Sequence, residues 1–270
     1  MGKFQCNFIS YALKRTVDIT VVVPTPTLTD GFTLEMDPGA PISHKPRHKY
    51  PVLYLLHGMG NNHATWTGYT NVEMYAEEQN IIVVMFSAEN KSYINSPGIN
   101  GMLQDKFFDF LHKELPDFVG GMFPALTEPE HTYIAGLSMG GYGTLVHGFS
   151  SPEQYRAMGV FSVGGSLPPQ KDENGNDIPQ DPRWQPMVLA EKIHEEGRQF
   201  PKMYIACGEA DPLYPSAVEL QEKMKDLGAD VTWVSRPGYA HEWRLWDEQV
   251  EAFLNWIPRT DFYAGSKRRI

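Results

Sequence analysis

The sequence predicts an α/β fold in which a mostly parallel sheet of about eight strands is covered by helices. Two observations predict it. Apolar runs rich in β-branched residues alternate with amphipathic stretches, and the central runs are hydrophobic throughout. Strands buried on both faces have no polar side, so they read as unbroken apolar segments.

In chain order, the first two runs, 4–10 and 17–24, follow each other without a helix between them, which predicts an antiparallel pair at one end of the sheet. Residues 25–49 are rich in Pro, Gly and polar side chains and read as a long loop. Strands then follow at 52–57, 81–87, 132–137, 157–163, 203–207 and 231–236. Helix-length amphipathic stretches lie at 71–79, 106–118, 140–149, 216–227 and 242–256. One β-meander followed by β-α units is the expected plan. The segment 165–200 breaks it with Pro-Pro, Asn-Gly and Asp-Pro turn signals and then a short helical stretch. Its place after the sixth strand makes it a candidate cap or lid within a single domain spanning 1–270; a plain surface excursion is the alternative.

Composition narrows the function classes. A chain of 270 residues with 41% hydrophobic and 21% charged residues buries its own core without disulfides or metal. With 23 Lys+Arg against 33 Asp+Glu, the net charge of −10 disfavours nucleic-acid and anionic-membrane partners. The basic cluster Lys267-Arg268-Arg269 reads as a solvated tail. Cys6 and Cys207 form neither a CxxC nor a metal pattern, and Cys207, inside an apolar run, reads as a small core residue. The opening MGKFQCNFISYALKR lacks a signal-peptide core, and no run is long enough to span a bilayer, so a cytoplasmic location is expected.

The chemical signal is strongest at Gly136-Leu137-Ser138-Met139-Gly140, a G-x-S-x-G motif with a strand before it and a helix after it. A sharp strand-to-helix turn strains the serine backbone, and the flanking glycines remove side chains that would clash there. The hydroxyl then projects near a helix N-terminus, where developing negative charge is favoured. A serine hydroxyl is a poor nucleophile without a base, and the base needs an orienting acid. In α/β-hydrolase sheets these follow in the order Ser, Asp/Glu, His.

The acid is expected after the strand 203–207, in Gly208-Glu209-Ala210-Asp211-Pro212. Asp211 is the first choice, Glu209 its rival, and either could simply cap the turn. The base is expected after the last strand, where His241 sits in Gly238-Tyr239-Ala240-His241-Glu242-Trp243. His131 and His147 lie too near Ser138 along the chain to serve. An oxyanion hole completes the set. His57-Gly58-Met59-Gly60-Asn61-Asn62 ends the strand 52–57 at the position that supplies one backbone N–H, from Met59 or alternatively Gly58; Met139 supplies the second. Each donor is worth about 3–4 kcal/mol of transition-state stabilisation.

These motifs resemble the esterase D-like and tributyrin esterase group, which includes feruloyl and acetyl-xylan esterases. The resemblance runs through Phe8-Ile-Ser-Tyr-Ala-Leu-Lys-Arg-Thr, Leu55-Leu-His-Gly-Met-Gly, Gly136-Leu-Ser-Met-Gly-Gly-Tyr-Gly, Cys207-Gly-Glu-Ala-Asp-Pro-Leu and Pro237-Gly-Tyr-Ala-His-Glu-Trp, with Trp246 and Trp256 beyond. It implies an α/β-hydrolase fold and a triad of Ser138, Asp211 and His241. S-formylglutathione hydrolases are similar around the nucleophile, but usually carry Ser-Gly at His57-Gly58 and Gly-His-Gly at Gly141-Tyr142-Gly143. Both departures favour the tributyrin/feruloyl branch.

The expected activity is hydrolysis of a small-molecule or oligosaccharide ester through an acyl-enzyme, with a feruloyl or short acyl group and no cofactor. Trp66, Tyr69, Trp184 and Trp243 could line an aromatic pocket or pack beneath loops. A thioesterase like S-formylglutathione hydrolase, an acyltransferase and a non-catalytic binding module are the alternatives. The sequence leaves the oligomeric state open, a homo-oligomer included.

Overall fold

The eight apolar runs assemble into one sheet in the computed structural model, which describes residues 1–26, 43–96, 105–166, 170–171, 174–175, 177–178 and 180–267. β1 (Gly2–Ser10) and β2 (Arg15–Val23) form an antiparallel hairpin registered from Gly2↔Val23 to Ser10↔Arg15. Its turn is held from outside the hairpin by the buried Glu114 carboxylate, which accepts from Ser10 Oγ at 2.7 Å and from the N–H groups of Tyr11 and Ala12 at 2.8 and 2.9 Å.

β3 (Val52–Leu56) leads through α1 (Thr65–Tyr69) and α2 (Val72–Gln79) to β4 (Ile82–Phe86). A helical segment starting at Phe107 passes through a π-helical turn, Phe110–Glu114, into α3 (Leu115–Met122). Then come β5 (Thr132–Leu137), α4 (Met139–Ser150), β6 (Ala157–Phe161), α5 (Pro186–Glu195), β7 (Lys202–Gly208), α6 (Tyr214–Asp226), β8 (Val231–Arg236) and α7 (Trp243–Trp256).

The sheet order is β1-β2-β4-β3-β5-β6-β7-β8. β2 lies antiparallel to β4, and from β4 onward every pairing is parallel. The antiparallel part is therefore a hairpin laid against β4, and β3 is threaded into the interior beside β5. The expected antiparallel end of the sheet is this β1–β2 pair. This order places the C-terminal ends of β3, β5, β7 and β8 along one rim.

Side chains alternate between two apolar layers, as the two-residue strand period requires. One face carries Val21, Tyr54, Val84, Ile134, Val160 and Ile205 against α3, α4, α5 and α6. The other carries Leu53, Leu55, Val83, Ala135 and Phe161 against α1, α2 and α7, with Trp66, Val72, Leu245 and Phe253. Each large side chain so enclosed contributes on the order of 1.5–3 kcal/mol.

The expected loop 25–49 lies mostly outside the described residues, as do parts of 165–200. What is described of the latter is a short ribbon (Gln170–Lys171 with Asp177–Ile178), a 3-10 turn Pro182–Trp184, and α5, which packs Ala190 and Ile193 into the core. Cys207 is fully buried in β7, and both cysteines are free. Among the described residues, no helix is long and apolar enough to cross a membrane, and no cluster of His, Cys, Asp and Glu could hold a metal ion.

Candidate active site

Four chain segments converge on the rim. β5 ends at Leu137, and Ser138 adopts φ 52 and ψ −119 before α4 begins at Met139. A positive φ costs a residue with a side chain about 1–3 kcal/mol and persists only where its surroundings enforce it. They do so here. The Ser138 N–H donates to the Phe161 carbonyl at 2.9 Å, locking the turn onto β6. A Cβ on Gly140 would lie 2.4 Å from the Leu56 carbonyl oxygen, and one on Gly136 would lie 2.4 Å from that of Gly140. Only glycines permit this closeness of β3, β5 and α4, and the closeness sets the turn.

The acid candidates separate cleanly. Asp211, 3% exposed, accepts from His241 Nδ1 through Oδ2 at 2.8 Å and from the Leu213 N–H through Oδ1 at 2.9 Å. Glu209 lies exposed two residues earlier and accepts from Ser235 Oγ at 2.7 Å, away from the histidine. Burial pushes the Asp211 carboxyl up, but the hydrogen bonds from His241 and Leu213 outweigh it and hold the group below the usual carboxylate range. The loop carrying His241 is fastened to the acid's turn, because the Tyr239 carbonyl accepts from the Ala210 N–H at 2.9 Å. An ionised Asp211 accepting at Nδ1 fixes the proton there, which leaves Nε2 of His241 as the basic nitrogen.

Two further residues belong with this pair: Trp246, which the resemblance included without a role, and Ser162, which no motif marks. The Trp246 ring meets His241 edge-on at 4.9 Å, and its indole N–H donates to Ser162 Oγ at 3.0 Å. Ser162, fully buried at the end of β6, has φ 52. Burial and the neighbouring Asp211 charge push the Cys207 thiol up to about 12, so it offers no rival thiolate.

The candidate oxyanion loop lies beside the Ser138 turn: a Cβ on Gly58 would sit 3.5 Å from Ser138 Cβ. Gly60, at φ 79, donates its N–H to Asn90 Oδ1 at 2.7 Å, which removes it as an oxyanion donor. Among the described residues, the N–H groups of Gly58 and Met59 have no protein acceptor. The Met139 N–H, at the first position of α4, is free by helix geometry. His57 is buried; its Nε2 accepts from the Ala88 N–H at 2.9 Å and its Nδ1 donates to the Gly58 carbonyl at 2.7 Å.

The four aromatic residues divide. Trp66 has no exposed surface, and its indole N–H donates to the Leu56 carbonyl at 3.1 Å. It supports the end of β3 from beneath and has no surface to present to a substrate, which corrects the expected lining role. Tyr69, 65% exposed, stacks on Trp243 at 5.1 Å and 15°, and Trp243 meets Trp66 edge-on at 5.4 Å. Trp184 packs against Phe108 at 5.0 Å, and its carbonyl accepts from the Tyr142 hydroxyl.

The model of the Esterase family, described as "Putative esterase", matches residues 39–257. The chain belongs to the Esterase family. This esterase is 26% identical to the acetyl esterase of Caldicellulosiruptor saccharolyticus over 96% of its own length and 99% of the relative's. Its fold is shared with fluorophosphonate-binding serine hydrolase F of Staphylococcus aureus (TM-score 0.77, 22% identity, 94% and 97% of the two chains). It is shared as well with an S-formylglutathione hydrolase of the same organism (0.76, 23%, 94% and 98%) and with a ferulic acid esterase (0.71, 21%, 94% and 96%). The fold is thus that of the α/β-hydrolases, and the family makes the protein an ester hydrolase.

Proposed function

We propose that this esterase hydrolyses short acyl or hydroxycinnamoyl esters of small alcohols or carbohydrates through Ser138, His241 and Asp211. The observation that carries the reading is the 2.8 Å bond from His241 Nδ1 to a buried Asp211, on the same rim as a serine held at positive φ. Asp211 holds the imidazole so that Nε2 accepts the Ser138 proton as Oγ attacks the ester carbonyl. The N–H groups of Met59 and Met139 receive the oxyanion of the tetrahedral intermediate. His241 then protonates the departing alcohol, activates water, and the acyl-enzyme is hydrolysed. Every step uses side chains and backbone of the chain itself.

The acyl preference is supported by the acetyl ester named for the curated relative and by the exposed Tyr69 face beside Trp243, two residues beyond His241. Flat aromatic surface there suits a phenolic ring or a sugar face. The test is a panel of p-nitrophenyl acetate and butyrate, methyl ferulate, acetylated xylan and S-formylglutathione, with Ser138→Ala alongside. Loss of all hydrolysis in the variant, with acetate or ferulate preferred by the wild type, supports the proposal. Preference for S-formylglutathione moves the enzyme to the thioesterase branch, transfer to added alcohols marks an acyltransferase, and undiminished activity in Ser138→Ala removes the mechanism.

A further inference from the structure

The turn that follows β4 holds an unusual run of strained residues. Glu89, Asn90, Ser92 and Tyr93 all have positive φ, at 48, 58, 52 and 62. Such backbone needs its surroundings to enforce it, and here the surroundings are the oxyanion loop on one side and α4 on the other.

The grip on the oxyanion loop is made group by group. The Tyr93 hydroxyl donates to the His57 carbonyl at 2.9 Å, and the Ala88 N–H donates to His57 Nε2 at 2.9 Å. The ring so fixed donates through Nδ1 to the Gly58 carbonyl at 2.7 Å. A peptide group is planar and trans, so its carbonyl and its N–H point in opposite directions. Pinning the Gly58 carbonyl therefore aims the Met59 N–H. On the far side of Met59, the Gly60 N–H is tied to Asn90 Oδ1 at 2.7 Å.

Tyr93 is also docked on α4. A Cβ on Gly143 would lie 2.6 Å from the Tyr93 ring, and the Tyr93 carbonyl accepts from His147 Nε2, one turn further along the helix, at 2.9 Å. Tyr93 is fully buried between the two.

We propose that Tyr93 is a positioning residue for the oxyanion hole: it fixes the separation of the Met59 and Met139 N–H groups by joining the oxyanion loop to the nucleophile helix, with Asn90 holding the loop's outer end. The inference rests on the reading of those two N–H groups as the oxyanion donors. Tyr93 touches neither substrate nor reacting atoms; it acts through His57 and Gly58.

Tyr93→Phe keeps the ring against Gly143 and removes only the grip on His57. Misplacing one donor by a fraction of an ångström should lower kcat on p-nitrophenyl acetate roughly ten- to hundred-fold. KM and the pH–rate profile should stay near those of the wild type, because His241 and Asp211 are untouched. Affinity for phenylboronic acid, which forms a tetrahedral adduct with the nucleophile, should fall in parallel. Asn90→Gly relieves the positive φ while deleting the acceptor for Gly60, and should lower kcat by a smaller factor without loss of folding. Wild-type kcat in Tyr93→Phe overturns the proposal, as does a loss that follows only the folded fraction. If Tyr93→Phe does not fold, unchanged kcat in Asn90→Gly overturns it. Ser138→Ala is the separate control: activity surviving there overturns the triad reading, whatever Tyr93→Phe does.

Discussion

Asp211 divides its two carboxylate oxygens between two tasks. Oδ1 closes its own turn on the Leu213 N–H, and Oδ2 faces His241. Asp211→Asn should keep the turn and lose control of the imidazole tautomer, lowering kcat on p-nitrophenyl acetate by about three to four orders of magnitude with KM little changed. Because the folded carboxyl titrates below its unfolded range of about 3.9, its stabilising contribution is complete above that range and disappears as pH falls through the lower folded value. Thermal melts should therefore show a flatter acid limb for Asp211→Asn than for the wild type.

His147 makes the opposite case. It is fully buried, and burial pulls its pKa down to about 3 despite the bond to the Tyr93 carbonyl. The unfolded chain takes up this proton near pH 6.5 and the folded chain does not, so stability is complete above about 6.5 and falls by up to about 1.4 kcal/mol per pH unit below it. Urea titrations between pH 7 and 4.5 should show that slope shrink in His147→Gln. An unchanged slope would mean that other groups dominate acid destabilisation.

At the scale of elements, the Ser138 turn depends on three segments meeting with almost no space between them. In an ordinary helix, Gly→Ala is stabilising by up to about 1 kcal/mol. Gly140→Ala should be destabilising instead, because its Cβ would sit 2.4 Å from the Leu56 carbonyl oxygen and 2.7 Å from that of His57. Backbone has to move to make room, and the segment that moves leads into Met59, one of the two proposed oxyanion donors. We expect a lower melting temperature together with a loss of kcat in the refolded fraction, read by calorimetry and initial rates. A melting temperature at or above wild type would show that the crossing of β3 and α4 is looser than described.

At the scale of the molecule, the C-terminal segment closes the layer made by α2 and α7. Arg259 is paired with Asp261 at 2.6 Å, side chains 9% and 0% exposed, and also reaches the Gln79 carbonyl. The Tyr133 hydroxyl donates to the Pro258 carbonyl at 2.7 Å, and Asn80 Nδ2 to that of Ser266 at 2.8 Å. Ending the chain after Ile257 leaves Tyr133, Asn80 and the end of α2 without these partners, a cost on the order of 2–4 kcal/mol. For a chain of this size that corresponds to a fall in melting temperature of roughly 5–10 °C, measurable by differential scanning fluorimetry, while residual activity at low temperature should persist.

The sequence by itself determined the alternation of strands and helices, the strand–serine–helix context of Ser138 and the chain order of the candidate acid and base. Those features are written in short-range patterns: continuous apolar runs, a glycine on each side of the serine, and turns at strand ends. It did not determine that β3 lies inside β4, because strand order depends on which faces find cover and not on local periodicity. It ranked Asp211 above Glu209, two carboxylates on one turn, but only the approach of the loop after β8 shows which of them the histidine meets. Trp66 looked like a pocket residue because an exposed and an enclosed tryptophan read alike in sequence. Tyr93 and Asn90 belong to no motif. Their importance comes from two segments, β3 and α4, that arrive from elsewhere in the chain and leave that turn one way to bond them both.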